Sequence, residues 1–188
     1  MCAAVYVKEQ EGHPGGMPKL HRREVASEQM HVAARPRRQI KSDLLTIREC
    51  ASRDTAAVVS MLQDEWLNVF PSVAFDPERS LLQLEFHLGH PKSGQWVLVN
   101  PDDVVFGFIG VYVFERVSSG ETIACEYWWY VDPMVRGRHG LRLLALAEAW
   151  AKARGAQRIS IGVHHDKYSR TMERLHYNMA TILFEKVL

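Results

Sequence analysis

The chain has 188 residues, 47% hydrophobic and 24% charged, with a formal charge of +1, the composition of an ordinary soluble globular protein with room for a sizeable core. The even charge balance argues against a nucleic-acid partner, and no acidic excess argues for disorder. The longest nearly unbroken apolar run, Val104 to Phe114, is too short for a bilayer, and the N-terminus lacks a charged-then-apolar signal; a cytoplasmic protein with no membrane partner is expected.

Residues 1–42 read as a flexible, mildly basic extension. They hold scattered glycines and prolines, no sustained period, and, up to Lys41, eight Lys or Arg against four Glu. Residues 43–188 read as one folded domain. It opens with a strand near Leu44 to Ile47, and Asp54 is placed to N-cap a helix over 55–68, with Ala57, Met61, Leu62 and Trp66 on one face. Asp76-Pro77-Glu78 combines an N-cap, a proline at the first helical position and a first-turn acid, so a second helix runs to Gly89.

From Gln95 the period changes to two. Short and long strands over 96–99, 104–116 and 122–131 are joined by the turns Asn100-Pro101-Asp102-Asp103 and Ser118-Ser119-Gly120. The stretch Glu126 to Gly155 then reads as strand, basic loop and helix, the helix opening near Leu141. A strand at Ile159 to Val163 completes a βαβ unit with parallel strands. A final helix includes Thr171 to Leu175, and Thr181 to Val187 closes the sheet. The order β-α-α-β-β-β-α-β-α-β describes a mixed α+β fold, its sheet largely antiparallel with one parallel βαβ unit and helices alongside.

The loop Arg136-Gly137-Arg138-His139-Gly140 feeds a helix start, where unpaired amides and the helix dipole stabilise an anion. Arg136, Arg138 and Arg142 add charge-assisted donors, and glycines permit close approach. A solvated basic βα turn is the alternative reading of those residues alone.

The full phrase Val131-Asp132-Pro133, Arg136-Gly137 and Leu143-Leu144 resembles the acetyl-coenzyme A motif V-x-P-x-x-R-G-x-G-x-G/A-x-x-L-L of the GNAT superfamily of N-acetyltransferases. Met172-Glu173-Arg174-Leu175-His176-Tyr177 is similar to that family's Y-E-R-L-G-F segment, and the likeness covers roughly residues 43 to 188. Three positions depart: the later family glycines fall on His139 and Leu141, and the tyrosine that often protonates the thiolate falls on Met172.

The resemblance implies direct acetyl transfer from acetyl-CoA to a primary amine of a small molecule or peptide. The cofactor would meet the Trp129-Tyr130-Val131 backbone and the segment Arg136, Gly137, Arg138, His139, Gly140, Leu141 and Arg142. Glu126, an acid among aromatic residues mid-strand, is the candidate base unless it pairs with an arginine such as Arg116. Trp128 and Tyr130 share its face by the period of two and are candidate walls of the acceptor site. Tyr168, a helical turn before Met172, is the candidate acid.

No metal is expected: His164 and His165 are adjacent on a strand end, point opposite ways and lack a third ligand at metal spacing. Look-alikes commonly form homodimers through sheet edges. A GNAT-fold domain that has lost catalysis and serves as an acyl-CoA-binding or interaction module is the competing reading. A Rossmann-type nucleotide site is disfavoured by the antiparallel strands and the lack of G-x-G-x-x-G.

Overall fold

Runs of β-branched and aromatic residues broken by turns form three strands within residues 93–131, and a computed structural model shows how those strands are covered. It describes residues 44–70, 73–163 and 168–180. The extension at 1–42, the His164-His165 pair and the closing strand expected at 181–187 lie outside these residues.

The strands are β1 (Thr46–Glu49), β2 (Ser93–Val99), β3 (Val105–Glu115), β4 (Thr122–Val131) and β5 (Arg158–Ser160); the helices are α1 (Thr55–Val69), α2 (Pro77–His87), α3 (Arg138–Ala153) and α4 (Ser169–Arg174). The sheet runs β1-β2-β3-β4-β5 in chain order. The first three pairings are antiparallel and β4–β5 is parallel, as the βαβ reading requires. Described elements thus follow the expected α+β order.

Each face of the sheet has its own core. On one side α1 and α2 bury Val58, Met61, Leu62 and Leu84 against Val97, Val99 and Phe108. On the other, α3 lays Leu143, Leu144 and Ala147 on Leu98, Ile109, Val111 and Val131. Burial of these side chains on both faces supplies the main stabilisation, on the order of 1.5–3 kcal/mol for each large one. α4 adds the buried Met172, and Tyr177 beyond it donates its O–H to Glu148 Oε1 of α3 at 2.6 Å.

Local signals succeed where a single turn decides the outcome. Asp76 accepts from the Arg79 N–H at 2.9 Å and Pro77 takes the first helical position, so α2 starts where the sequence says. It ends at His87 rather than Gly89, whose φ of 77° turns the chain away.

Asp54 directly precedes α1 at the N-cap position expected of it, but its side chain makes no capping hydrogen bond to the helix. It ends a 3₁₀ turn over Ser52–Asp54, and its carboxylate receives Arg48 Nη1 at 2.7 Å and Nη2 at 2.9 Å, together with the Ala51 N–H at 2.8 Å. A two-pronged guanidinium outcompetes a helix amide for the same oxygens. Arg48 also reaches Asp103 Oδ1 at 2.7 Å, tying β1 to the β2–β3 turn.

The ladder between β3 and β4 is interrupted by a bulge in β4. Gly110 faces Trp128 and Val111 faces Glu126, leaving Tyr127 as the extra residue. Its ring lies over Gly110, where an added Cβ would sit 2.3 Å from Tyr127 Cζ. We expect Gly110→Val to destabilise the fold by about 1–3 kcal/mol through this overlap, read as a lower urea midpoint.

The Arg48 guanidinium beside Asp54 holds that carboxyl below its ordinary value of 3.8. Its stabilising contribution is present above that pH and is lost as pH falls toward the folded value. Asp54→Asn is therefore expected to be less stable at pH 7 and to lose less stability than the parent between pH 5 and pH 2, as measured by denaturation across that range.

Candidate functional site

β4 outlasts β5. The parallel ladder joins only Ile123 to Arg158, Ala124 to Ile159 and Cys125 to Ser160, while β4 stays paired with β3 as far as Val131. From Glu126 onward the two parallel strands fork. Asp132 N–H donates to Phe106 O at 2.8 Å, so the alternation of backbone direction aims the N–H and C=O of Trp129 and Val131 away from β3 and into the fork.

Glu126 sits at the apex. It is 5% exposed, and its Oε2 accepts the Gly162 N–H across the gap at 3.0 Å. Burial disfavours the charged form and outweighs that one amide, pushing the carboxyl up to about 7. The pairing with Arg116 considered from sequence does not occur: Arg116 bridges Glu121 at 3.4 Å.

The bulge also corrects the face assignment. Strict alternation puts Glu126 with Trp128 and Tyr130, but the extra residue breaks that parity. Tyr127, Trp128 and Tyr130 pack with the α1–α2 core, Trp129 and Val131 with the α3 core, and Val111, the register partner of Glu126, lies on the α3 side. Glu126, Trp128 and Tyr130 nonetheless line one cleft, together with Glu65, Trp66, Phe70 and Phe75. Those last four were missed. The helical period put Trp66 on the apolar face of α1, but nothing local says that this end of the face overhangs β4 instead of filling the core.

The basic loop is shorter than expected, because α3 begins at Arg138 and not near Leu141. Gly137 is its N-cap, at φ 90° and ψ −118°, a conformation that only glycine adopts readily. It turns the chain straight from loop to helix. Arg138, His139, Gly140 and Leu141 form the first turn, whose leading amides have no partner within the helix. Gly140 packs on the strand: an added Cβ would lie 3.5 Å from Trp129 Cζ2 and 3.7 Å from Val131 Cγ2. The helix start is thereby set beside the fork.

The side chains of the loop have specific partners. Arg136 donates Nε to Val131 O at 2.7 Å, Nη1 to the Tyr168 hydroxyl at 3.3 Å and Nη2 to Glu65 Oε2 at 3.3 Å, with its guanidinium 5.5 Å from the Tyr130 ring centre. It links β4, α1 and the N-cap of α4. His139 is buried and contacts Arg142 Nη1 at 3.2 Å through Nδ1, and the same Nη1 reaches Leu45 O at 3.4 Å. Arg138 and Leu141 are exposed. Among the described residues, no group of three His, Cys, Asp or Glu is placed to hold a metal, and no helix is long and apolar enough to cross a membrane.

The raised carboxyl of Glu126 has a sign that denaturation can read. Between its ordinary value of 4.5 and about 7 the folded state holds a proton that the unfolded chain has lost, so stability falls as pH rises through that window. The slope is at most about 1.4 kcal/mol per pH unit. Glu126→Gln is expected to flatten it, measured as urea midpoints from pH 5 to pH 8.

The fold recurs in known structures. A predicted acetyltransferase from Clostridium acetobutylicum, solved with acetyl-CoA, is 11% identical, with a TM-score of 0.64 over 76% of this chain and 96% of that one. Glucosamine-6-phosphate N-acetyltransferase from Arabidopsis thaliana is 13% identical, with a TM-score of 0.61 over 76% and 97%. An aminoglycoside acetyltransferase from an uncultured soil metagenomic sample is 17% identical, with a TM-score of 0.59 over 78% and 97%. At such identities the likeness is one of fold. No curated protein matches the chain in sequence. The profile of the Acetyltransferase (GNAT) family matches residues 56–176, more than half of the chain, and the protein belongs to that family.

Proposed function

We propose that the protein is an N-acetyltransferase that moves an acetyl group from acetyl-CoA directly to a primary amine. The observation that carries this reading is Glu126, a buried carboxyl at the apex of the β4–β5 fork with its pKa raised to about 7 by burial. A base poised near neutrality suits removal of a proton from an ammonium group.

The residues present fit the co-substrate. Its pyrophosphate suits the first turn of α3, where the amides from Arg138 to Gly140 and the helix dipole favour an anion, while the Leu141 N–H closes the first helical bond to Gly137 O at 3.3 Å. At Gly137 an added Cβ would meet nothing within 4 Å, so the approach to that turn is open. Arg138 and Arg142 add positive charge, while His139 and Gly140 form the buried side of the turn. The Trp129 and Val131 amides line the fork and suit a thioester carbonyl. When bound, acetyl-CoA supplies an activated acyl carbon and a thiolate leaving group.

Glu126 takes a proton from the acceptor ammonium. The freed nitrogen lone pair forms the new C–N bond as the C–S bond breaks, and the leaving sulfur carries away the bonding electrons. Tyr168 supplies the proton that the sulfur needs, and the nitrogen releases its second proton to solvent. Arg136 positions Tyr168 by holding its hydroxyl, and the same guanidinium fixes the end of β4 through Val131 O.

One observation favours the module reading: Arg136 uses its donors within the protein, so the loop offers an anion one guanidinium fewer than its sequence suggests. Calorimetric titration with acetyl-CoA separates the two. Micromolar affinity, about 8 kcal/mol, that Gly137→Ala weakens supports the transferase. Absence of binding by the parent protein overturns it in favour of the module.

With an accepted amine in hand, kcat/KM is expected to rise with pH through about 7 as Glu126 ionises. Glu126→Gln is expected to lower kcat about 100-fold or more, and Tyr168→Phe about 10-fold or more, each with little change in acetyl-CoA affinity. A pH profile unchanged in Glu126→Gln removes Glu126 from the role of base.

A further inference from the structure

The cleft that receives the acceptor has a composition of its own. Trp66, Phe70 and Phe75 come from α1 and the segment after it, Trp128 and Tyr130 come from β4, and all five rings are half-buried around one opening. Trp66 is the hub: its ring centre lies 4.7 Å from Phe70 and 6.0 Å from Phe75. Its indole N–H donates to Val73 O at 2.9 Å. That bond occupies the sole donor of the side chain and locks the ring, which leaves its apolar surface to face the cleft.

The charges divide along the cleft. Glu65 is held by Arg136 at 3.3 Å, and that guanidinium also lies against the Tyr130 ring, so this end is already paired. The other acid in the lining, Glu126, bonds a backbone amide and lies at the fork. An ammonium drawn to Glu126 therefore has its substituent directed onto the rings. Against the ring faces a polyhydroxylated body would lose water and find few hydrogen-bond partners, whereas a flat apolar body replaces water favourably. The rings also offer π faces to the cation itself.

We propose that the acceptor is an arylalkylamine, its aromatic ring held between α1 and β4 by Trp66, Phe75 and Trp128 and its primary amine at Glu126. The fate of the amine rests on the transferase reading above; the binding of its ring does not. This class differs from the amino sugar and aminoglycoside named for two structures of the same fold.

The test uses the full chain and three probes: phenethylamine, spermidine and glucosamine 6-phosphate. Each is titrated calorimetrically without and with acetyl-CoA, and acetylated product is measured by mass. The expected result is binding of phenethylamine in both conditions and a kcat/KM about 100-fold above that of either polar probe. Trp66→Ala is expected to raise KM for phenethylamine about 10-fold while acetyl-CoA affinity is kept. Trp66→Phe, which keeps an aromatic surface, restores most of the loss, and this guards against reading a folding defect as a binding one.

Preference for spermidine or the amino sugar, or no phenethylamine binding beside normal acetyl-CoA binding, overturns the acceptor assignment alone. Phenethylamine binding that Trp66→Ala abolishes, in a protein that does not bind acetyl-CoA, supports the cleft assignment and overturns the transferase reading. Failure of both ligands to bind overturns both.

Discussion

The separation of β4 from β5 is the constraint on which the site depends. A strand that leaves its neighbour exposes backbone groups that the ladder no longer satisfies, and within a protein these require other partners. Side chains from elsewhere close both ends of the open stretch. Glu126 takes the Gly162 N–H where the strands part, and Arg136 donates to Val131 O where β4 ends. Between them the Trp129 backbone lines a gap held open by fixed groups. The fork is thus pinned at both ends, which suits backbone groups that must be oriented before a ligand arrives.

The bulge at Tyr127 gives the fork two different sides. Without the extra residue, β4 would alternate evenly from Thr122 to Val131. With it, Tyr127 and Trp128 both lean toward α1 and α2, and Trp129 is turned beneath the first turn of α3. One side of the fork therefore meets the start of α3, with the dipole of that helix, and the other meets a cleft of aromatic rings. Gly110 permits this arrangement because any side chain there would occupy the space of the Tyr127 ring.

Two buried acids show how partner chemistry and burial compete to set a carboxyl's proton affinity. Asp54 is 3% exposed and Glu126 5%, yet their shifts run in opposite directions. Asp54 is gripped by both arms of Arg48 and by an amide, which stabilise its charged form and suit a structural staple. Glu126 has the Gly162 amide against a larger cost of desolvation, so its charge is retained weakly and its proton can be exchanged near neutral pH.

The sequence by itself determined the elements and their order among the described residues. The β-branched and aromatic runs of β3 and β4, the Asp76-Pro77 start of α2 and the glycine-punctuated passage from β4 into α3 are local features, each set by neighbours within a turn or two. Glu126 was legible as an exceptional residue because an acid between aromatic residues is costly wherever it folds. Tertiary structure alone decided what the carboxylates meet, where the ladder stops and which parity follows the bulge. The Asp54 side chain turned away from capping α1 because Arg48 of β1 offered a stronger pairing. α3 started early because Gly137 has room for a positive φ beside the fork. Glu65, Trp66 and Phe75 became cleft residues because α1 overhangs β4. Spacing along a chain records local geometry, whereas the fork, its staples and its aromatic side come from groups far apart in sequence, and only packing brings those together.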